Sequence, residues 1–318
     1  MSDNDQPLIL LLGVTASGKS SAAMTLAPSL DAEIVSIDSM QVYRRMDIGT
    51  AKPTPDELSR VRHHLVDVLE PWESFSASKC TEMADTTIRD IFSRKKTPLI
   101  VGGTPLYLMS LMFGLFDGPS ADAALRTELR ARADADGVAS LHAELAAIDP
   151  AAAERIHPND YKRIERAIEV HQLTGRRLSE QQVQWAAGEL RYPSIVVGLR
   201  REKEDASRRI NQRVRQMVDQ GLVEEVTRLH RDPRGMSEQA RQAVGYAEII
   251  RHLDGEWTLD EAIERIKIHT RRLAKHQRTW FRKFTMAKWV EVGAQLEASE
   301  MHDRLREAIG TANMERRE

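Results

Sequence analysis

The sequence predicts an α/β fold: a parallel sheet core flanked by helices, with a helical insertion and a helical carboxy-terminal region. Three observations carry this reading. Short apolar runs recur and lead into Gly, Asp or Thr. Helical periodicity fills the intervals between them, the rhythm of a doubly wound sheet. The texture changes near residue 117 to an alanine-rich, charged stretch and reverts near residue 193.

The first run, "LILLL" (Leu8 to Leu12), is a buried strand followed at once by Gly13. A helix is expected from about Gly18, turning Ala22, Ala23, Leu26 and Ala27 inward and ending near Pro28. "EIVSID" is the second strand and ends on Asp38. Ser76 to Arg94 has helical spacing through Met83, Thr87 and Ile91, and "PLIVGGT" is a third strand running into a glycine turn at Thr104. Residues 117–192 read as the insertion. Within it, Asp149-Pro150 is a helix entry, and a helix from about Asp160 to Thr174 stops at Gly175. "SIVVGL" (Ser194 to Leu199) returns to the sheet, so residues 1–116 form the first part of the core and 193–318 complete it, helical almost to the end. Ligands of such sheets bind beyond the carboxyl ends of strands.

At the first of those ends stands "GVTASGKS", Gly13 to Ser20, which fits G-x-x-x-x-G-K-[ST], the phosphate-binding P-loop. Backbone N–H groups of Gly13, Thr15, Ala16, Ser17, Gly18, Lys19 and Ser20 would ring an anionic phosphate. Lys19 adds a full charge, and Ser20 could hold a magnesium ion shared with phosphate oxygens. Asp38 could hold magnesium, accept a proton, or cap a helix. A nucleotide hydrolase also needs an aspartate after a later strand. Here that strand ends in Gly102-Gly103, which would let backbone approach a ligand, with the Thr104 hydroxyl beside it. The hydrolase machinery is therefore incomplete. Arg209 and Arg213 share a helix face, suited to a diphosphate or to solvent.

The formal net charge of −2 argues against a nucleic-acid binder, yet from Arg265 to Lys288 there are nine Lys or Arg and no Asp or Glu. Exposed charges act only within about 8–10 Å, so a local patch outweighs the total. Ile266, Thr270, Leu273, Gln277, Trp280 and Phe284 form an apolar stripe expected to be buried. Lys267, Arg271, Lys275, Arg278 and Arg282 form a parallel basic stripe, read as a track for a polyphosphate backbone, or as cations paired with acids elsewhere. A second basic cluster, Lys162, Arg163 and Arg166, falls in the insertion. His63-His64 lacks a second pair at metal spacing and reads as structural. The single cysteine, Cys80, cannot form an internal disulfide, and no run approaches the ~20 apolar residues of a membrane span. With a polar start, "MSDNDQP", a cytoplasmic protein with no membrane association is expected.

Together "GVTASGKS", "DSMQVYRRMDIGTAKP", "GGTPLYL", "HPNDYKRIERAIEV", "RRINQRVRQMVDQGLVEEV", "AVGYAE" and "TRRLAKHQRTWFRK" resemble the tRNA dimethylallyltransferase (tRNA isopentenyltransferase) family. The motifs are collinear from about residue 8 to 290. Val14 stands where the family usually has Pro, Ser20 where Thr is common, and Ala247 in a slot often basic. The resemblance implies a monomer whose loop holds dimethylallyl diphosphate with Mg²⁺. The five-carbon group passes to N6 of adenosine 37, beside the tRNA anticodon, and diphosphate leaves. It implies Asp38, Thr104 and Arg209 as catalytic residues, with the loop and Arg213 on the diphosphate. Contacts to the anticodon stem-loop are implied for Asp38, Ser39, Met40, Gln41, Thr104, Arg126, Lys162, Arg163, Arg166, Gln242, Gly245, Tyr246, Lys275, Arg278 and Arg282. Two rival readings are a P-loop kinase of a small metabolite and a prenyltransferase of free adenine nucleotides.

Overall fold

The computed structural model describes residues 6–116, 118–181, 189–293 and 296–317. Asp117, the expected first residue of the insertion, and residues 1–5 of the polar start lie outside them. The chain divides into two compact units, Met1–Met112 with Tyr192–Glu318, and Phe113–Arg191.

The first unit opens with β1 (Leu8–Gly13), α1 (Lys19–Ser29), β2 (Ala32–Ile37), α2 (Pro55–Arg60), β3 (His63–His64), α3 (Ala77–Ser93) and β4 (Thr97–Gly102), followed by α4 (Pro105–Phe113), whose last residue begins the second unit. The second unit holds α5 (Ala123–Asp136), α6 (Val138–Ile148), α7 (Pro150–Arg155), α8 (Tyr161–Thr174) and α9 (Leu178–Gln181). The chain then returns to the first unit through β5 (Ser194–Arg201), α10 (Lys203–Asp219), α11 (Leu222–His230), α12 (Glu238–Arg241), α13 (Tyr246–Leu253), α14 (Leu259–Phe281), β6 (Lys288–Val292) and α15 (Ala298–Arg317).

The six strands form one parallel sheet in the order β3-β2-β4-β1-β5-β6. Every residue of β1 is buried, as a strand covered on both faces requires. Its residues alternate between faces: Ile9 and Leu11 join Leu99, Val101, Ile195 and Val197 in a core closed by Ala23 and Leu26 of α1 and Met301, Leu305 and Ile309 of α15. The second unit has its own core, built on Leu129, Leu141, Leu145, Ile164 and Ile168.

Three sequence expectations need correction. The carboxy-terminal region is not helical throughout, because β6 pairs with β5 at the sheet edge. Five residues, "KWVEV", with a turn signal on one side alone, Gly293, carry too little pattern to stand out. The two-residue β3 is shorter still. In α3 the buried line is Cys80, Ala84, Ile88 and Ile91, so Met83 and Thr87 sit at its margin rather than on it. Gly102 does not make room for a ligand. A Cβ there would lie 2.3 Å from the Ile37 carbonyl oxygen, so the glycine serves the close pairing of β2 and β4.

Candidate active site

The carboxyl ends of β1, β2 and β4 open onto a cavity of about 690 Å³. The phosphate loop forms one wall. It turns through Ala16 at φ 62° and Gly18 at φ 97°, the left-handed region that glycine enters without steric cost. Gly18 sits just before α1, so the loop's N–H groups and the helix amino terminus lie together. Two arginines brace the loop through its carbonyls. Arg209 Nε donates to Ala16 O at 3.1 Å, and the buried Arg201 Nε donates to Ser17 O at 3.3 Å. Ser17 is fully buried and its Oγ has no hydrogen-bond partner.

Three cations line this cavity, Lys19, Arg209 and Arg213, against one acid, Asp38, among the described residues. Burial pushes the Lys19 ammonium below its ordinary value of 10.5; Asp38 pulls it back up, and Arg213 pushes it further down. Burial likewise lowers Arg213, and Asp38 opposes it. The three groups therefore share one local field, poised to gain from an arriving anion.

Asp38 follows β2. Its Oδ1 accepts the backbone N–H groups of Met40 at 2.8 Å and Gln41 at 3.2 Å, so it does cap the turn. Its Oδ2 lies on the Gly103 side. Ser39 and Met40 line the cavity beside it, half-buried. Thr104 does not line the cavity. Its Oγ1 accepts the Ser39 N–H at 3.0 Å and donates to Ser39 Oγ at 3.3 Å, so it positions the Asp38 turn from behind. Gln41 is similarly committed: Ser36 donates to its Oε1, and its Nε2 donates to the carbonyls of Thr50 and Ala51.

Several residues implied to touch RNA also hold the fold, and Gln242, Gly245 and Tyr246 line the cavity as well. Tyr246 is fully buried, and its hydroxyl donates to Glu225 at 2.5 Å. Glu225 also accepts the N–H groups of Asp47, Ile48 and Gly49, and so brackets the loop that closes the cavity. Gly245 is buried at φ 100° and gives its N–H to Glu248. Gln242 is exposed on the cavity wall and bonds Glu238.

In the second unit, Arg126 forms two bonds to the buried Glu169, at 2.8 and 2.9 Å, and Arg166 adds a third at 2.6 Å. Burial alone would raise the Glu169 carboxyl, but these arginines and the Asp122 N–H outweigh it and hold it at about 2. Arg126 and Arg166 are therefore not free cations. Lys162 and Arg163 are exposed, Arg163 pairing with Asp160 at 3.4 Å.

The α14 stripes are also revised. Ala262, Ile266, Lys267, Ala274, Gln277 and Phe281 are its buried residues, whereas Leu273 is 40% exposed and lines the cavity. Lys267 is buried and pairs with Glu264, one residue before the acid-free segment begins. Arg271 donates to Asn211 Oδ1 at 2.6 Å. The track shortens to the exposed Lys275 and Arg282 and the half-buried Arg278. The last two border a separate cavity of about 320 Å³ with Phe281 and Trp289.

Gln277 is buried, as its place in the stripe predicts, but pattern reading does not assign it to the site. It takes the Thr15 N–H on its Oε1 at 2.8 Å, and donates from Nε2 to Gly103 O at 2.6 Å. A polar residue in an apolar stripe was the available signal, because buried polar groups have partners.

A family model described as IPP transferase matches residues 41–284. The tRNA dimethylallyltransferase of Geobacter sulfurreducens is 46% identical over 291 residues, 92% of this chain and 94% of that protein. That of Methylococcus capsulatus is 48% identical, covering 90% and 93%. Among solved structures, the tRNA isopentenylpyrophosphate transferase of Bacillus halodurans superposes with a TM-score of 0.71 at 38% identity, covering 99% of this chain and 100% of that one. A eukaryotic dimethylallyltransferase acting on tRNA gives 0.80 at 25% identity, covering 98% and 80%.

Proposed function

Because this chain belongs to the IPP transferase family, we propose that it transfers the dimethylallyl group of dimethylallyl diphosphate to N6 of adenosine 37 in tRNA. The single observation that best supports this is the charge arrangement of the cavity: three cations facing one carboxylate. An allylic diphosphate arrives activated, so the site needs anion stabilisation and one proton acceptor, not a positioned water.

In the proposed reaction the N6 lone pair attacks C1 of the donor, and the C1–O bond breaks with its electron pair going to diphosphate. Lys19, Arg209 and Arg213 line the space where that charge grows, and fixed cations act most strongly there. The proton lost from N6 goes to Asp38, whose Oδ1 is already held by two N–H groups. The exposed apolar face of Leu273 and the buried Ile266, Val214 and Met217 offer an unstacked base and the allyl group a partly dry wall. The adenosine must leave its stack to enter.

Magnesium is proposed to travel with the donor. Ser20 and Asp38 line the same cavity and are both hard oxygen donors. Among the described residues no group of three or more His, Cys, Asp or Glu could hold a metal. Ser20 and Asp38 would hold such an ion, which would keep most of its water. When bound, it supplies further neutralisation of phosphate charge. No helix among the described residues is long and apolar enough to cross a membrane.

The test incubates the purified protein with dimethylallyl diphosphate, magnesium and unmodified tRNA, followed by mass spectrometry of the nucleosides. Isopentenylated adenosine is the expected product. Brisk ATP turnover without transfer would replace this reading with the kinase, and transfer to AMP but not to tRNA with the free-nucleotide enzyme.

A further inference from the structure

The reaction proposed above needs two ligands in one cavity, and one buried amide touches the supports of both. Gln277 lies within α14 and is 4% exposed. Its Oε1 takes the N–H of Thr15, inside the phosphate loop, and its Nε2 donates to Gly103 O, at the end of β4. Gly103 adjoins Thr104, which holds the N–H of Ser39, beside Asp38. A Cβ on Gly103 would stand 3.0 Å from Gln277 Nε2, so the glycine keeps open the place the amide occupies. One side chain thus ties the anion loop to the strand end that positions the proton acceptor.

The same helix carries Lys275 and Arg278, and Arg282 caps its carboxyl end. It is also fixed to α10, the carrier of Arg209 and Arg213, through the Arg271–Asn211 bond. Gln277 and these cations share one rigid element, so a polyanion held on Lys275, Arg278 and Arg282 would act on the amide through the helix. Breaking either of that amide's buried bonds would leave a desolvated polar group, which is costly. The loop and the helix therefore have to adjust together.

We propose that Gln277 is a positioning residue that couples RNA binding on α14 to donor binding in the phosphate loop, so that each ligand tightens the other. The inference rests on the function proposed above. Coupling of this kind is reciprocal.

The experiment measures the affinity of a non-reactive thio analogue of dimethylallyl diphosphate with and without an anticodon stem-loop RNA. Wild type is compared with Gln277→Leu, Gln277→Glu and Gly103→Ala. In wild type, RNA should tighten the analogue by about 5- to 150-fold, the ordinary range of such couplings. Gln277→Leu should bring that ratio close to one while each ligand alone still binds. Gln277→Glu keeps the acceptor for Thr15 and loses the donor to Gly103, and Gly103→Ala displaces the amide without altering it; both should give intermediate ratios. A residue that only supported the fold would lower the melting temperature and leave the ratio alone. An unchanged ratio in the folded variants, or a wild-type ratio of one, overturns the proposal. If Gln277→Leu does not fold, the other two variants decide. Failure of wild type to bind either ligand overturns the function itself, whereas binding of both without coupling overturns only this inference.

Discussion

Oδ1 of Asp38 is spent on the N–H groups of Met40 and Gln41, and Oδ2 lies toward Gly103 and the cavity. The cap and the chemical carboxylate are thus one residue. Asp38→Asn keeps an oxygen for the cap and removes the base. Transfer should fall by roughly 10²–10⁴, the scale of a lost general base, with the melting temperature and tRNA affinity nearly unchanged. Equal loss of stability and rate would return Asp38 to a purely structural role. Tyr246 is the opposite case. Its ring lies fully buried against Gly49, where a Cβ would meet it at 2.4 Å. Tyr246→Phe removes one bond to a carboxylate, worth roughly 1.5–3 kcal/mol. Chemical denaturation should register that loss, and RNA affinity should not change.

At the scale of the element, α14 separates cations that look alike in sequence. Lys267 and Arg271 have partners in Glu264 and Asn211; Lys275 and Arg282 are exposed and Arg278 half-buried. Arg278→Ala with Arg282→Ala should weaken all tRNAs about equally and flatten the salt dependence of binding, because phosphate contacts release counterions and carry no sequence. Lys267→Met should leave the slope intact, since that ammonium is buried and paired. Affinities at several salt concentrations decide, and equal slopes for all proteins would remove α14 from the RNA contact. The stripe was readable from spacing, but its active portion was not, because Glu264 sits just outside the acid-free window.

At the scale of the whole molecule, each unit carries a buried carboxylate held down by arginine. Hydrogen bonds from Arg94 hold Glu33 at about 2 against the ordinary 4.5, helped by His64 and Arg62. Glu169 stands at about 2 in the second unit, where burial is outweighed by Arg126 and Arg166. A carboxyl depressed on folding stabilises above its unfolded value and loses that contribution as pH falls through its folded value. Both units should therefore weaken between about pH 4.5 and 2. Glu169→Gln should flatten the acid limb of the second unit's melt only. Melts across that range, followed by probes in each unit, check this, and an acid limb flattened in both units of the Glu169→Gln protein would mean they do not unfold independently.

The sequence by itself determined the sheet's inner strands, the loop, the helix boundaries at Gly18 and Gly175, and the candidate anion chemistry. These are local: an apolar run, a glycine at positive φ and a spaced Lys-Ser pair act over a few residues. Only the tertiary structure decided which polar side chains serve the site and which serve the fold. Gln277 meets Thr15, Tyr246 meets Glu225, and Arg126 meets Glu169. Each pairing joins residues distant in sequence, and burial sets its worth: the same guanidinium or amide is a ligand contact when its partner is solvent and a brace when its partner is a desolvated group of the chain.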